Sequence, residues 1–163
     1  MIQDFTLDLN LKRLKTTLLE FVNDEGRQKS NQGGYQSNLL GPEDMPSQLK
    51  NQIDLKVDGE LIQWWVNING RGNTNACHDH YDRTPPVQPV GTSGVFYISV
   101  PDNNMGDILF QGTMMRSHPT LYDPPLRYEP KPNRLLIFPS DCFHSVEPNQ
   151  SDKERMSLAF NYT

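Results

Sequence analysis

Cysteine is scarce: only Cys77 and Cys142 occur in 163 residues. Two thiols form one bridge at most, which excludes the disulfide framework of a small secreted scaffold, and both read as buried thiols. Long basic runs are also missing. Fifteen Lys and Arg stand against twenty Asp and Glu, for a net charge of −5, so a nucleic-acid backbone is not an expected partner. A local patch would still suffice for nucleic-acid modification. No apolar run approaches a membrane span, and the first residues lack the basic-then-apolar order of a secretion signal. These absences lead to the expectation of a soluble, cytoplasmic protein without a membrane partner. Internal repeats and low-complexity tracts are lacking too, and the length suits a single domain, 1–163, that buries its own core.

What is abundant is punctuation. Thirteen prolines and eleven glycines separate short runs rich in Val, Ile, Phe, Tyr and Trp, the pattern of many short strands joined by long connections. After a weakly alternating start, Leu14, Leu18, Leu19, Phe21 and Val22 fall at helical spacing, which predicts a helix over 11–23 packed outside the sheet. Residues 27–53 are polar and turn-rich and read as a long loop, or as a loop with a second short helix at 46–53. Strands follow at 60–69, 73–82, 95–100, 107–111, 134–138, 143–147 and 155–162, with 127–130 a candidate edge strand. About eight strands suit a mainly β fold, a double-stranded β-helix of the jelly-roll or cupin-like kind. One or two helices lie outside it: residues 1–55 give support and 56–163 the barrel core. Within 60–69 the alternation puts Trp64, Val66 and Ile68 on one face and Trp65, Asn67 and Asn69 on the other; Trp64 reads as core.

Chemistry concentrates in "NACHDHYD", residues 75–82. In an extended segment His78, His80 and Asp82 point the same way, so His78/His80 and His80/Asp82 are competing ligand pairs. A third ligand must come from far along the chain, and His144 in "FPSDCFHSVEP" is the candidate. Two near ligands and one distant histidine, leaving open positions, is the geometry of non-haem Fe(II) oxygen chemistry. A closed zinc site using Cys77 or Cys142 is a second option, disfavoured because Cys77 should point away from the histidines. His118 stands alone in a Pro-containing loop and reads as surface. Farther on, parity in the last strand sets Arg155, Ser157, Ala159 and Asn161 on the face opposite apolar Met156, Leu158 and Phe160. An inward arginine is costly unless an anion meets it. A dicarboxylate that chelates iron at one end and reaches Arg155 and Ser157 at the other would satisfy both halves, and 2-oxoglutarate fits.

The segments "WVNIN", "HDH", "SGVFYISVP", "GDILF", "RLLIFPSDCFHSVEP" and "ERMSLAFN" resemble the Fe(II)/2-oxoglutarate-dependent oxygenases, nearest to the small members common in phage and marine bacteria; "GGYQSN" is similar as well. The resemblance covers 60–163 in good order and 30–40 more loosely. It implies a double-stranded β-helix and a dioxygenase that couples 2-oxoglutarate decarboxylation to hydroxylation. Fe(II), 2-oxoglutarate and O₂ would be required, with ascorbate eligible as reductant. It implies His144 as distal iron ligand, Arg155 and Ser157 on the far carboxylate, and Tyr97 reaching the same cosubstrate. Asn67 joins them as a polar lining residue, and Asn161 is a similar candidate. The commonest pattern in the superfamily is His-x-Asp/Glu, whereas the small members carry His-x-His, so His78, His80 and Asp82 contend for two positions, one standing behind the others. A viral source would move the location to host cytoplasm. The substrate reads as a small molecule or a peptidyl side chain, and a homodimer is allowed. Two rivals stay open: a cupin-type metal enzyme without 2-oxoglutarate, and a non-catalytic jelly-roll binding protein.

Overall fold

A computed structural model describes every residue except 23, 115 and 116. The chain begins with β1 (Gln3–Thr6) and α1 (Leu11–Leu19), continues through β2 (Asn31–Gln32) and β3 (Tyr35–Gln36), and reaches α2 (Ser47–Asp54). The barrel strands follow as β4 (Leu61–Asn69), β5 (Thr74–His78), β6 (Thr92–Ser99), β7 (Ile108–Thr113) and β8 (Thr120–Tyr128). They end with β9 (Arg134–Pro139), β10 (Phe143–Val146) and β11 (Arg155–Tyr162). Two antiparallel sheets form, a six-stranded one ordered β1-β9-β6-β11-β4-β3 and a five-stranded one ordered β2-β5-β10-β7-β8. This is the expected mainly β double-stranded β-helix, with both helices against the outer face of the larger sheet.

The alternation in β4 and β11 decides what each face does. Trp64 and Val66 of β4, with Met156, Leu158, Phe160 and Tyr162 of β11, turn outward beneath Leu14 and Leu18 of α1 and Leu49 and Ile53 of α2, forming the main core. Asn67, Asn69, Arg155, Ser157 and Asn161 turn inward between the sheets. Trp64 is fully buried, its indole N–H donating to Gly41 O at 2.8 Å, so its reading as core holds. A second apolar cluster, Tyr97, Ile108, Phe110, Leu136, Phe138 and Cys142, closes the interior on the other side.

Three expectations change. α1 starts at the Asn10 cap, whose side chain accepts from Arg13 N–H, but ends at Leu19. Phe21 and Val22 keep the helical stripe going from a tightened turn, with N–H bonds to Leu18 O and Leu19 O at 3.1 Å each; the predicted end at residue 23 lies outside the described residues. The polar stretch after it holds α2, but also β2 and β3. Their register joins Gln32 to Thr74 and Tyr35 to Ile68. Gly33 and Gly34 between them adopt φ of +73° and +71°, a conformation that only glycine takes freely, and so carry the chain from one sheet to the other. Two-residue strands carry no periodicity to read. The candidate edge strand at 127–130 is the end of a longer β8, whose Pro124 and Pro125 are tolerated because β8 is the edge of its sheet.

Candidate functional site

The pairing of β5 with β10 sets His78 directly across from His144. His80 follows two residues on, its N–H held by Ser140 O at 2.8 Å. One ring nitrogen from each of His78, His80 and His144 comes together, all within 4.8 Å of one another. The other nitrogen of each ring is engaged: His78 Nδ1 lies 2.7 Å from Ala76 O, His144 Nδ1 2.9 Å from Cys142 O, and His80 Nδ1 3.0 Å from Asn161 Oδ1. Two of these partners are carbonyls that only accept, and the Asn161 oxygen already accepts from Ser93 Oγ. Each ring therefore donates from Nδ1 and leaves the Nε2 lone pair free.

Those lone pairs face one another, with His78 Nε2 and His80 Nε2 only 3.3 Å apart. Lone pair against lone pair is unfavourable unless a cation stands between them. A proton is a poor candidate: burial and the neighbouring imidazole of His78 push His80 down to about 3, burial and both neighbouring imidazoles lower His144, and burial lowers His78. A metal ion fits: three neutral imidazoles, each fixed by a hydrogen bond on its far side, are a suitable donor set for Fe(II).

The same burial predicts a pH response of the metal-free protein. An unfolded histidine gains its proton near pH 6.5, whereas folded His80 gains it only near about 3. The unfolded chain thus binds more protons across that window, and stability falls as pH drops from about 6.5 toward about 3. Thermal unfolding of the metal-free protein from pH 7 to 4 should show this loss, with a shallower slope in His80→Gln.

Asp82 is placed elsewhere. It is exposed, its carboxylate accepts the Thr84 N–H at 2.8 Å, and it does not join the histidine cluster. The cysteines also stay out: Cys142 is buried in the second core, and Cys77 is exposed on β5 because its parity opposes His78. Cys77 thereby corrects the reading of two buried thiols. His118 is exposed, as its loop suggested.

On the opposite sheet, β11 pairs Arg155 with Asn69 and sets Ser157 between Asn67 and Tyr97. These residues and the three histidines line one cavity of about 50 Å³. Arg155 is 3% exposed. Its Nη1 donates to Met105 O at 2.9 Å and Gly106 O at 2.7 Å, and its Nη2 to Asn69 Oδ1 at 3.1 Å. Gly106 has φ +90°, and a Cβ there would sit 2.2 Å from Glu147 O, so glycine is needed for the turn that aims this carbonyl. Tyr97 packs its ring 5.8 Å from the guanidinium carbon. No carboxylate meets Arg155 among the described residues, and its Nε is buried without a partner. A buried cation with an orphaned donor calls for an anion.

Sequence reasoning missed Asn69, which orients the guanidinium, although its parity with Asn67 was visible. It also missed the roles of Gln36 and Trp65. Gln36 Nε2 donates to Asn67 Oδ1 at 3.0 Å, and the Trp65 ring stands edge-on to His80 at 5.3 Å. No periodic signal marks a two-residue strand such as the one that carries Gln36.

The molecule is similar to several solved structures. A Pseudomonas putida prolyl-4-hydroxylase matches with a TM-score of 0.65 and 16% identity, over 99% of this chain and 91% of the other. The viral collagen prolyl hydroxylase of Paramecium Bursaria Chlorella virus-1, solved with 2-oxoglutarate, matches at 0.68 and 11%, over 99% and 96%. HygX from Streptomyces hygroscopicus, with nickel and 2-oxoglutarate bound, matches at 0.70 and 10%, over 99% and 82%. At these identities the likeness shows a shared fold. No curated protein matches by sequence. The family profile described as "Putative 2OG-Fe(II) oxygenase" matches residues 63–161, from within β4 to within β11. The chain belongs to the 2OG-Fe(II) oxygenases.

Proposed function

We propose that the protein is a dioxygenase that hydroxylates a C–H bond of its substrate at the expense of 2-oxoglutarate. The observation that carries this reading is one cavity holding a converging set of three Nε2 lone pairs and a buried guanidinium without an anion. His78, His80 and His144 would hold Fe(II). Arg155, with Ser157, would hold the far carboxylate of 2-oxoglutarate, Tyr97 and Asn67 lining the space between. When bound, the iron and 2-oxoglutarate supply the oxidising power by activating O₂. The chain's own residues bind, orient and exclude water. Asn161, Ala76 O and Cys142 O fix the three rings, while Trp65 and Phe138 wall the cavity against solvent. The cupin-type rival without 2-oxoglutarate leaves Arg155 unexplained, and a non-catalytic jelly roll leaves the facing lone pairs unexplained.

Purified protein supplied with Fe(II), ascorbate and 2-oxoglutarate should release succinate slowly even without its substrate. Absence of both 2-oxoglutarate binding and succinate would end the proposal. Asp82 supplies a sharper check of the ligand set. Asp82→Asn is expected to change Fe(II) affinity by less than about threefold, as for an exposed carboxylate outside the cluster, whereas His78→Ala should lower it by well over tenfold. Competition with a coloured chelator measures both.

A further inference from the structure

Above the inner cavity lies an open cleft of about 380 Å³, floored by His78 and His80. Three cations line it, Arg27, Lys29 and Arg83, with two carboxylates, Asp79 and Asp82, on a chain whose net charge is −5. These charges are not equivalent. Asp79 and Arg83 form an ion pair and offset each other. Asp82 is exposed and spends an oxygen on Thr84 N–H. Neither Arg27 nor Lys29 forms an ion pair among the described residues, and only Lys29 lies within electrostatic reach of a cleft carboxylate, the exposed Asp82.

Arg27 is also held still. Its backbone N–H donates to Gln36 O at 2.8 Å and its Nε to Ser37 O at 2.9 Å. The guanidinium carbon lies 5.0 Å over the Trp65 ring, and the same indole stands edge-on to His80. Stacking and one hydrogen bond fix the plane, and both terminal amino groups are left without a protein partner among the described residues. A half-buried fork so oriented is preorganised for a carboxylate. Arg27 lines this cleft and not the inner cavity where Arg155 lies.

We infer that Arg27, assisted by Lys29, selects the substrate by its carboxylate, and that the substrate is a small free carboxylic acid. The cleft volume lies within the range of small-molecule sites, roughly 300–1,000 Å³. The inference rests on the oxygenase reading, because His78 and His80 place the reacting carbon beside this cleft.

The test is a panel of the free L-amino acids and straight-chain acids of three to six carbons, each beside its primary amide. They are offered, with short acidic peptides as a comparison set, to protein loaded with Fe(II) and 2-oxoglutarate. Calorimetric binding under nitrogen and succinate release in air are both read. At least one acid should bind and raise succinate release about tenfold or more above the substrate-free rate, and its amide should not. Arg27→Gln should lower the acid-over-amide ratio of kcat/KM by about ten- to a hundredfold, the size of a charge-assisted contact. Arg27→Lys should restore part of it. Lys29→Gln, at an exposed side chain, should lower the same ratio about threefold whether or not Arg27 variants fold. Response to acidic peptides alone, to neutral compounds equally, or to none of the panel overturns the inference, as does an unchanged ratio in Arg27→Gln and Lys29→Gln. Retained 2-oxoglutarate binding with no preference for acids sinks this inference alone; failure to bind 2-oxoglutarate sinks the oxygenase reading.

Discussion

Arg155→Met should lower affinity for 2-oxoglutarate by about a hundredfold or more while leaving Fe(II) affinity within about threefold. A hydrogen bond to a charged group contributes about 1.5–3 kcal/mol, and a guanidinium offers a carboxylate two of them. The variant removes the only Lys or Arg lining the inner cavity among the described residues. Arg155 makes no bond to the histidines: His78 and His144 stand on the other sheet, and His80 lies just past the end of β5. The cost to the fold should be smaller than the cost to binding. Three acceptors, Met105 O, Gly106 O and Asn69 Oδ1, lose a donor, but the penalty of keeping a charge out of water disappears as well. Arg155→Lys should recover little, since an ammonium cannot reproduce the fork. Anaerobic titration with 2-oxoglutarate and chelator competition for iron measure the two affinities separately. Equal loss of both, or of neither, would contradict the assignment.

The second large effect belongs to His144. Supporting groups behind a metal ligand typically contribute 10–100-fold to affinity, so losing a ligand should cost more, on the order of a thousandfold. His144→Ala is therefore expected to abolish the rise in melting temperature that Fe(II) gives the wild-type protein. That rise follows from binding to the folded state alone and grows with the logarithm of free metal over Kd. The far end of the site should be less affected, because Arg155 keeps all of its partners. A melting scan with and without Fe(II), in the absence of oxygen, shows the difference directly. A persistent iron-dependent shift in His144→Ala would mean that His78 and His80 find their third ligand elsewhere.

Most of this site was legible because a strand repeats every two residues. That period told which of Trp64 and Trp65 faces the core, set Arg155 and Ser157 against Met156 and Leu158, and turned Cys77 away from its neighbouring histidines. It could not choose between His78 and Asp82. Both share the parity of His80, and what separates their positions is where regular pairing stops. β5 ends at His78, still in register with His144, and by Asp82 the chain has left the sheet and its carboxylate folds back on Thr84. Periodicity was equally silent on Gln36, whose strand is too short to show a pattern. It was silent on Arg27, which reaches the site from a polar loop through a stack on Trp65. The exposed state of Cys77 was implied by the same parity that excluded it from the metal, and the general tendency of cysteines to be buried pointed the other way.

The place of β11 in its sheet has a temporal meaning. It is the latest strand along the chain, yet it sits between β6 and β4 with neighbours on both sides. During synthesis those two strands must wait, unpaired along the edges that will face each other, until residues 155–162 leave the ribosome. Contacts so distant in sequence make folding slow and cooperative, and β11 supplies both Arg155 and the Asn161 oxygen that orients His80. Iron offered before β11 docks would find His80 without its supporting oxygen, so productive loading would await the closed sheet.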